Sequence, residues 1–409
     1  MNSLQQIQHE LGPLFSGLAQ HHSKKSVLDS DVYRRHHPAI ERAVTSTEQD
    51  DLSRSQPPRL RDFVRVVAWN IERGMQADGI AQALNEHPVL RYADVLLLTE
   101  TDLGMGRSQN RNVARFLADA LSMRYFYATS YLNLSPGPEG ESDCKIDNTL
   151  ALQGNAILSR HPFSDTWRIE LPATGDKMRG HEKRLGTQTA LGALLELPGA
   201  APLVSVCTHL DAHSSPAQRR AQLATILDNV ETRAGAPILV GGDWNTNGWD
   251  ANHLLRLAAM LVRRLLRDGI GRTFGYYYAN THEGEDRILF QMLTARGYDV
   301  AGLNEMGVGT QYMFRHQLKD MAKITSMFGP LAPPILAWEH PWREIGNDHT
   351  ECKLDWFTGR GLAPLRAGQV IDGPSGMPSV SPHVVRDVTG NAGRLSDHDP
   401  IALDLNLQR

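Results

Sequence analysis

GRLSDHDPIALDL, residues 393–405, sets an apolar strand (Ile401, Ala402, Leu403, Leu405) directly behind Asp397, His398 and Asp399. Burying unpaired charge is costly, so two acids and a histidine at the mouth of a buried strand need partners, a metal or a bound anion. Those partners are expected at the ends of other strands.

Further apolar runs of strand length are FVRVVAW (63–69), closing at Asn70, and ADVLLLTE (93–100), closing at Glu100. LALQGNAILS (150–159), TALGALLEL (189–197), LVSVCTHL (203–210), PILVGGDW (237–244), KLDWFTG (353–359) and IALDLNL (401–407) complete the set. GIAQALNEH (79–87) has helical texture. SSPAQRRAQLATILDNVETR (214–233) reads as a helix with Ser215 as N-cap, Pro216 at the first position, and Leu223, Ile226 and Val230 on its apolar face. Many strands with a few interleaved helices imply a large mixed sheet system covered by helices.

The strand ends share one chemistry. They offer Asn70 and Glu72; Glu100 and Asp102; His209, Asp211 and His213; Asp243, Asn245 and Asn247; Asp355; and Asp397 with His398. Sites assemble where the carboxyl ends of strands converge in such sheets. Oxygen donors from Asp, Glu and Asn suit Mg²⁺ or Mn²⁺. There is no H-E-x-x-H pair, no cysteine cluster, no G-x-x-x-x-G-K-[ST] loop and no G-x-S-x-G elbow.

The chain has 409 residues, 41% hydrophobic and 22% charged, an ordinary globular balance. Its formal charge of −4 argues against attachment to nucleic acid mainly by charge. Cys144, Cys207 and Cys352 form no even framework and read as reduced thiols of a cytoplasmic protein. The start, MNSLQQIQHELGPLF, lacks the basic and apolar regions of a signal peptide, and no run reaches the roughly 18 apolar residues of a membrane helix. Residues 1–60 read as a polar arm, partly helical or flexible, whose removal is expected to leave catalysis largely unchanged. Within it Leu4, Ile7, Leu11, Leu14 and Leu18 recur at helical steps, TSTEQDDLSRSQPPRLRD (45–62) reads as a linker, and His21, His22, His36 and His37 read as solvated. From 61 to 409 the texture is that of one folded domain. Its stretch from about 250 to 350 has fewer strands. There one helix carries Leu254, Leu257, Leu261 and Leu265 opposite Arg256, Arg263 and Arg267, and TSMFGPLAPPILAWEHPW (325–342) is apolar and Pro-rich.

In this order WNIERG, LLLTETD, GNAILSRHPF, THLDAHSSPAQRRAQ, GGDWNTN, KLDWFTG and LSDHDPI resemble the endonuclease/exonuclease/phosphatase (DNase I-like) superfamily. Its members include nucleases, neutral sphingomyelinases and inositol-polyphosphate 5-phosphatases. The resemblance spans roughly residues 63–408. It implies a four-layer α/β sandwich, two packed mixed β-sheets flanked by helices, and a Mg²⁺-dependent phosphoester hydrolase, with Mn²⁺ as a substitute. It implies Glu100 as principal metal ligand with Asn70 beside it and Asp397 as a further metal-side carboxylate. Asp243 and Asn245 then orient water and phosphate, Asp355 holds a catalytic His398, and His209 donates to a phosphate oxygen. Asp399 reads as structural. The family's nucleases present a tyrosine in the site wall; Tyr125, Tyr127 and Tyr131 are available, none in a matching motif. The segment between GGDWNTN and KLDW is longer than in compact nucleases. A small or lipid-linked phosphoester is the expected substrate. The alternative is DNA or RNA, with Arg107, Arg111 and Arg115 or the arginine helix supplying a basic groove.

Overall fold

Phe63–Asn70 is buried along its whole length. A strand achieves this only when both faces of its sheet are covered. Val64, Val66 and Ala68 face a core between two sheets, whereas Val67 and Trp69 face a core under helices, as the two-residue period of a strand requires. The computed structural model describes residues 6–406 except 55–61, 138–143, 180–181, 198, 234, 247–253, 315–348, 372–375, 387 and 392.

The strands are β1 (Thr47–Asp51), β2 (Phe63–Asn70), β3 (Val95–Leu103), β4 (Arg124–Asn133), β5 (Leu152–Ser159), β6 (Phe163–Glu170), β7 (Arg184–Gly186), β8 (Thr189–Leu195), β9 (Leu203–His209) and β10 (Ile238–Asp243). They continue as β11 (Gln311–Phe314), β12 (His349–Cys352), β13 (Asp355–Arg360), β14 (His383–Val384), β15 (Thr389–Gly390), β16 (Gly393–Arg394) and β17 (Ile401–Asn406). The helices are α1 (Phe15–Ala19), α2 (Lys24–Leu28), α3 (Asp31–Val44), α4 (Ala77–Glu86), α5 (Val113–Leu121), α6 (Pro216–Glu231), α7 (Leu254–Gly271), α8 (Tyr277–Ala279) and α9 (Arg287–Ala295).

One sheet runs β1-β4-β5-β3-β2-β17-β14, with β7 also on β4; the other runs β13-β10-β9-β8-β6. β2/β3 and β9/β10 are parallel and the remaining ladders antiparallel, so both sheets are mixed. Inner-face residues such as Val66, Leu97, Leu191, Leu239, Phe357 and Leu403 form the inter-sheet core. Leu18, Ile40, Ile80, Leu84 and Leu117 cover the first sheet, and Leu223, Ile226, Leu227, Leu289 and Leu293 the second. The result is the four-layer sandwich that the motif blocks imply.

Two local readings of the sequence hold in detail. Ser215 caps α6 in a reciprocal capping box with Gln218, behind Pro216. The buried Arg219 of the same helix grips Asp286 at the head of α9 through two hydrogen bonds of 2.9 and 3.1 Å. In the 250–350 stretch, helix and loop do prevail over strand among the described residues; Asn247 and the apolar Pro-rich run lie outside them.

The N-terminal stretch is more than an arm. Ile7, Leu11, Leu18, Val27 and Ile40 enter the core under the first sheet. TEQDD, read as linker, is β1, paired in register with β4 from Thr47↔Ala128 to Asp51↔Arg124. The buried Glu48 accepts from Tyr125 Oη and Asn112 Nδ2, both at 2.6 Å, and from the Ile7 amide at 2.7 Å. Polarity concealed this strand: at an edge only one residue in two turns inward, and here that residue is a glutamate with buried donors. Truncation of residues 1–54 is therefore expected to yield a chain without a cooperative unfolding transition. Ile40→Ala should lower stability by about 2–5 kcal/mol, read from denaturant midpoints.

Candidate active site at the seam of the two sheets

β10 ends in Asp243, which the ladders place level with His209 of parallel β9 and with Asp355 of antiparallel β13. Gly242 makes this close approach possible: its φ is +134°, and a Cβ there would meet the Thr208 carbonyl oxygen at 2.1 Å. From the other sheet, β2 delivers Asn70. β3 delivers Glu100 through a bulge, because pairing with β5 passes from Leu98↔Ala156 to Thr101↔Gly154 with one extra residue on β3. Glu100 itself has a φ of +56°, a strained backbone that re-aims its side chain.

The side chains meet across the seam. Asn70 Nδ2 donates to Asp243 Oδ2 at 3.0 Å and to Glu100 Oε1 at 3.3 Å. His398 Nδ1 lies 2.7 Å from Asp355 Oδ2, and its Nε2 lies 3.9 Å from Asp243 Oδ2. His209 Nε2 stands 3.5 Å from Asp243 Oδ2 and 4.0 Å from Glu100 Oε1. Asn245, at a φ of +50°, donates its backbone amide to Asp243 Oδ1 at 2.8 Å and its side-chain amide to the Leu210 carbonyl at 2.9 Å. Asp243, Asp355 and His398 bring ligand-capable atoms within 4.8 Å of one another, the one such His/Cys/Asp/Glu group among the described residues.

Asp397 stands on the turn before β17, next to His398. Its Oδ2 accepts from Gln311 Nε2 at 3.4 Å, and its carbonyl accepts from the Tyr312 amide at 3.0 Å. It is half-buried, and it joins the group through its charge on His398 rather than through a described contact with Asn70 or Glu100. Asp399 is buried against Arg394, whose guanidinium stacks 3.7 Å over Tyr312.

Four supports were not legible beforehand. Ser396 Oγ donates to the Asn70 carbonyl at 2.7 Å and accepts from the His398 amide at 3.1 Å. Trp69 Nε1 donates to the His398 carbonyl at 2.9 Å. Thr310 Oγ1 accepts from the Leu354 and Asp355 amides, each at 3.1 Å. Arg73 NH1 lies 3.7 Å from Glu100 Oε2. Ser396, Trp69 and Arg73 sit inside the motif blocks, so their position was the available signal; Thr310 had none.

The electrostatics separate the acids. Burial works to raise the Glu100 carboxyl, but Arg73, His209 and His398 outweigh it and hold the group at about 2. Burial pushes Asp243 up to about 6, with Asp355 adding to the rise and the two histidines opposing it. Burial disfavours the His398 imidazolium, yet Asp355, Asp397 and Asp243 together carry it well above its ordinary value of 6.5.

The other sequence candidates find structural partners. Arg107 is buried in a two-point pair with Asp102 at 2.8 and 3.0 Å. Arg111 pairs with Asp78 and Arg115 with Asp50. On α7, Arg263 pairs with Glu285 and Arg267 with Asp268. Of the tyrosines, Tyr125 serves Glu48 and Tyr127 is enclosed in the helix-side core. Tyr131 lies under the Arg184 guanidinium at 4.4 Å, within electrostatic reach of Asp211.

The fold is thus a four-layer sandwich that gathers acids, amides and histidines at the seam of its two sheets. The chain belongs to the endonuclease/exonuclease/phosphatase family, whose model matches residues 67–398. It is 30% identical over 206 residues to the uncharacterized protein YbhP of Escherichia coli (strain K12), a match covering 50% of this chain and 64% of that one. The chain thus spans less than two thirds of that curated relative. Among solved structures it is similar to an endonuclease/exonuclease/phosphatase from Beutenbergia cavernae DSM 12333, at 17% identity and a TM-score of 0.49 over 85% of this chain and 72% of that one. It is also similar to the human Nocturnin catalytic domain with bound sulfate, at 16% identity and a TM-score of 0.46 over 89% and 97%.

In metal-free protein His398 should stay protonated above pH 6.5 in an NMR titration, and Asp355→Asn should lower its pKa. Because the folded value exceeds the unfolded one, the stability it contributes is fully present below about pH 6.5. That contribution is lost as pH rises through the folded value. A His398 that titrates at its ordinary value in the wild type would contradict the pairing.

Proposed function

We propose that the chain is a divalent-metal-dependent phosphoester hydrolase that uses Mg²⁺, with Mn²⁺ as a substitute. The observation that carries this reading is the joint arrival of Asn70–Asp243 and Asp355–His398 at one seam. A carboxylate held ionised beside a neutral amide suits a hard cation, and Glu100 with Asn70 meets that description. Asp397 would add negative charge on the same side. When bound, the cation neutralises phosphoryl charge and lowers the pKa of water.

The chain's own groups supply the rest. Asp243, raised toward neutrality, is suited to take a proton from the attacking water. Asn245 keeps Asp243 turned toward the seam through its amide. His398, cationic and fixed by Asp355, donates from Nε2 to a phosphoryl oxygen as charge grows there. His209, on the other side of Asp243, is placed to donate to a second phosphoryl oxygen. Water oxygen bonds to phosphorus, the ester oxygen departs, and the protons pass through Asp243 and solvent.

The pairing of Arg107, Arg111, Arg115, Arg263 and Arg267 with carboxylates favours a small or lipid-linked phosphoester over a polynucleotide. The free thiols accord with a cytoplasmic enzyme. No described helix is long and apolar enough to cross a membrane.

The test is a substrate panel with Mg²⁺: bis-p-nitrophenyl phosphate, sphingomyelin, inositol phosphates, plasmid and an abasic-site duplex. EDTA should abolish turnover and Mg²⁺ or Mn²⁺ restore it. His398→Ala should cost about 10²–10⁴-fold in kcat in protein whose circular dichroism stays native. Turnover that persists in EDTA would remove the metal from the reading, and plasmid nicking lost in His398→Ala would make the enzyme a nuclease.

A further inference from the structure

The N-terminal segment does more than cover the sheet. The Lys24 backbone amide donates to both carboxylate oxygens of Asp176, each at 2.9 Å, and Lys183 Nζ donates to the Ala19 carbonyl at 2.5 Å. These bonds clamp α2 and the end of α1 to the loop between β6 and β7. Between the two lies a shallow open cleft lined by Lys24, Thr174, Gly175, Lys177, Arg184 and Asp211 among others.

Cations line the cleft. Lys24, Lys177 and Arg184 lie on it with the carboxylate of Asp211, and Asp176 and Glu182 stand next to it. Asp211 is already committed: it accepts from Lys177 Nζ at 2.5 Å and from the Thr174 hydroxyl. Lys24 is exposed, and among the described residues its ammonium has no carboxylate partner. Arg184 NH1 reaches Gln153 at 3.3 Å and Glu182 at 3.4 Å, while its buried Nε has no hydrogen-bond partner. A buried guanidinium nitrogen without an acceptor is costly unless an acceptor arrives. Arg184 is fixed in place by its stacking on Tyr131. The cleft floor also adjoins the seam, since Asp211 follows His209 by two residues, at most about 7 Å of extended chain.

We propose that this cleft is a second anion subsite, which takes a phosphate group of the substrate other than the one hydrolysed. The proposal rests on the phosphoester reading for its role, though not for its existence. A compact tetrahedral dianion matches an ammonium, a guanidinium donor and a half-open cleft. It also gives the N-terminal segment a part in recognition, through Lys24. The substrate class is a phosphodiester with a phosphate monoester nearby, carried on either a nucleotide or a sugar-alcohol headgroup.

Two arms test it on the full chain. The first is calorimetric titration of metal-free protein with inorganic phosphate. Lys24→Glu should weaken affinity about five- to tenfold and Lys24→Arg should preserve it. Equal affinity in all three proteins overturns the subsite. The second arm compares kcat/KM with Mg²⁺ for a dinucleotide with and without a 5′-phosphate, and for glycerophosphoinositol with and without a ring phosphate. The wild type should prefer the phosphorylated member of one pair, which identifies the source, and Lys24→Glu should erase that preference. Hydrolysis without preference in either pair overturns the subsite. Phosphate binding that depends on Lys24, with none of the four compounds hydrolysed, supports the anion site and overturns the hydrolase reading.

Discussion

One hydrogen bond, from Asn70 Nδ2 to Asp243 Oδ2 at 3.0 Å, joins the end of β2 in one sheet to the end of β10 in the other. Both strands are buried over their full lengths, so neither can carry unpaired charge except at its end. The packing of two sheets face to face forces those ends together. The site is the place where groups that the core rejects become neighbours and satisfy one another. Removing Asn70 would take away the amide that bonds both the Asp243 and the Glu100 carboxylates and leave His209 beside the two, which explains a neutral amide at this strand end.

Charge that does enter the core is paired with the same strictness. Arg65 and Asp404 stand opposite each other on β2 and β17, bonded at 2.7 and 2.9 Å and fully buried. Asp404 also accepts from Ser379 Oγ and the Val380 amide, each at 3.0 Å. A one-residue slip of β17 would drive this pair into the apolar face and pull Leu403 and Leu405 out of it, so the pair selects the register. That register sets where the SDHD turn emerges, and hence where His398 meets Asp355.

The sequence disclosed the elements whose chemistry is local. FVRVVAWN, PILVGGDW and the Ser215–Pro216 helix start declare themselves by period and cap, and the polar residue closing each strand marked the seam. What stayed hidden depends on contacts between distant residues. β4, RYFYATSYLN, is rich in strand formers, yet Thr129 and Ser130 break the apolar run that would have marked it. β1 is polar because it lies at an edge. Arg107 and Arg115 looked available for an anion until Asp102 and Asp50 were found beside them. Asp397 shares a motif with His398, but the motif did not disclose its contacts with Gln311 and Tyr312.

β1 also bears on how the molecule behaves in a crowd. The strand it covers is β4, with two tyrosines and a phenylalanine in its first four residues. Uncovered, its row of backbone donors and acceptors would offer a template on which a second chain could add. β1 occupies that row, with its exposed Asp51 held by Arg124 and its largely buried Asp50 by Arg115. Five residues thus give the sheet a charged, unattractive border. A single proteolytic cut that freed them would open the sheet to self-association, even with the groups at the seam untouched.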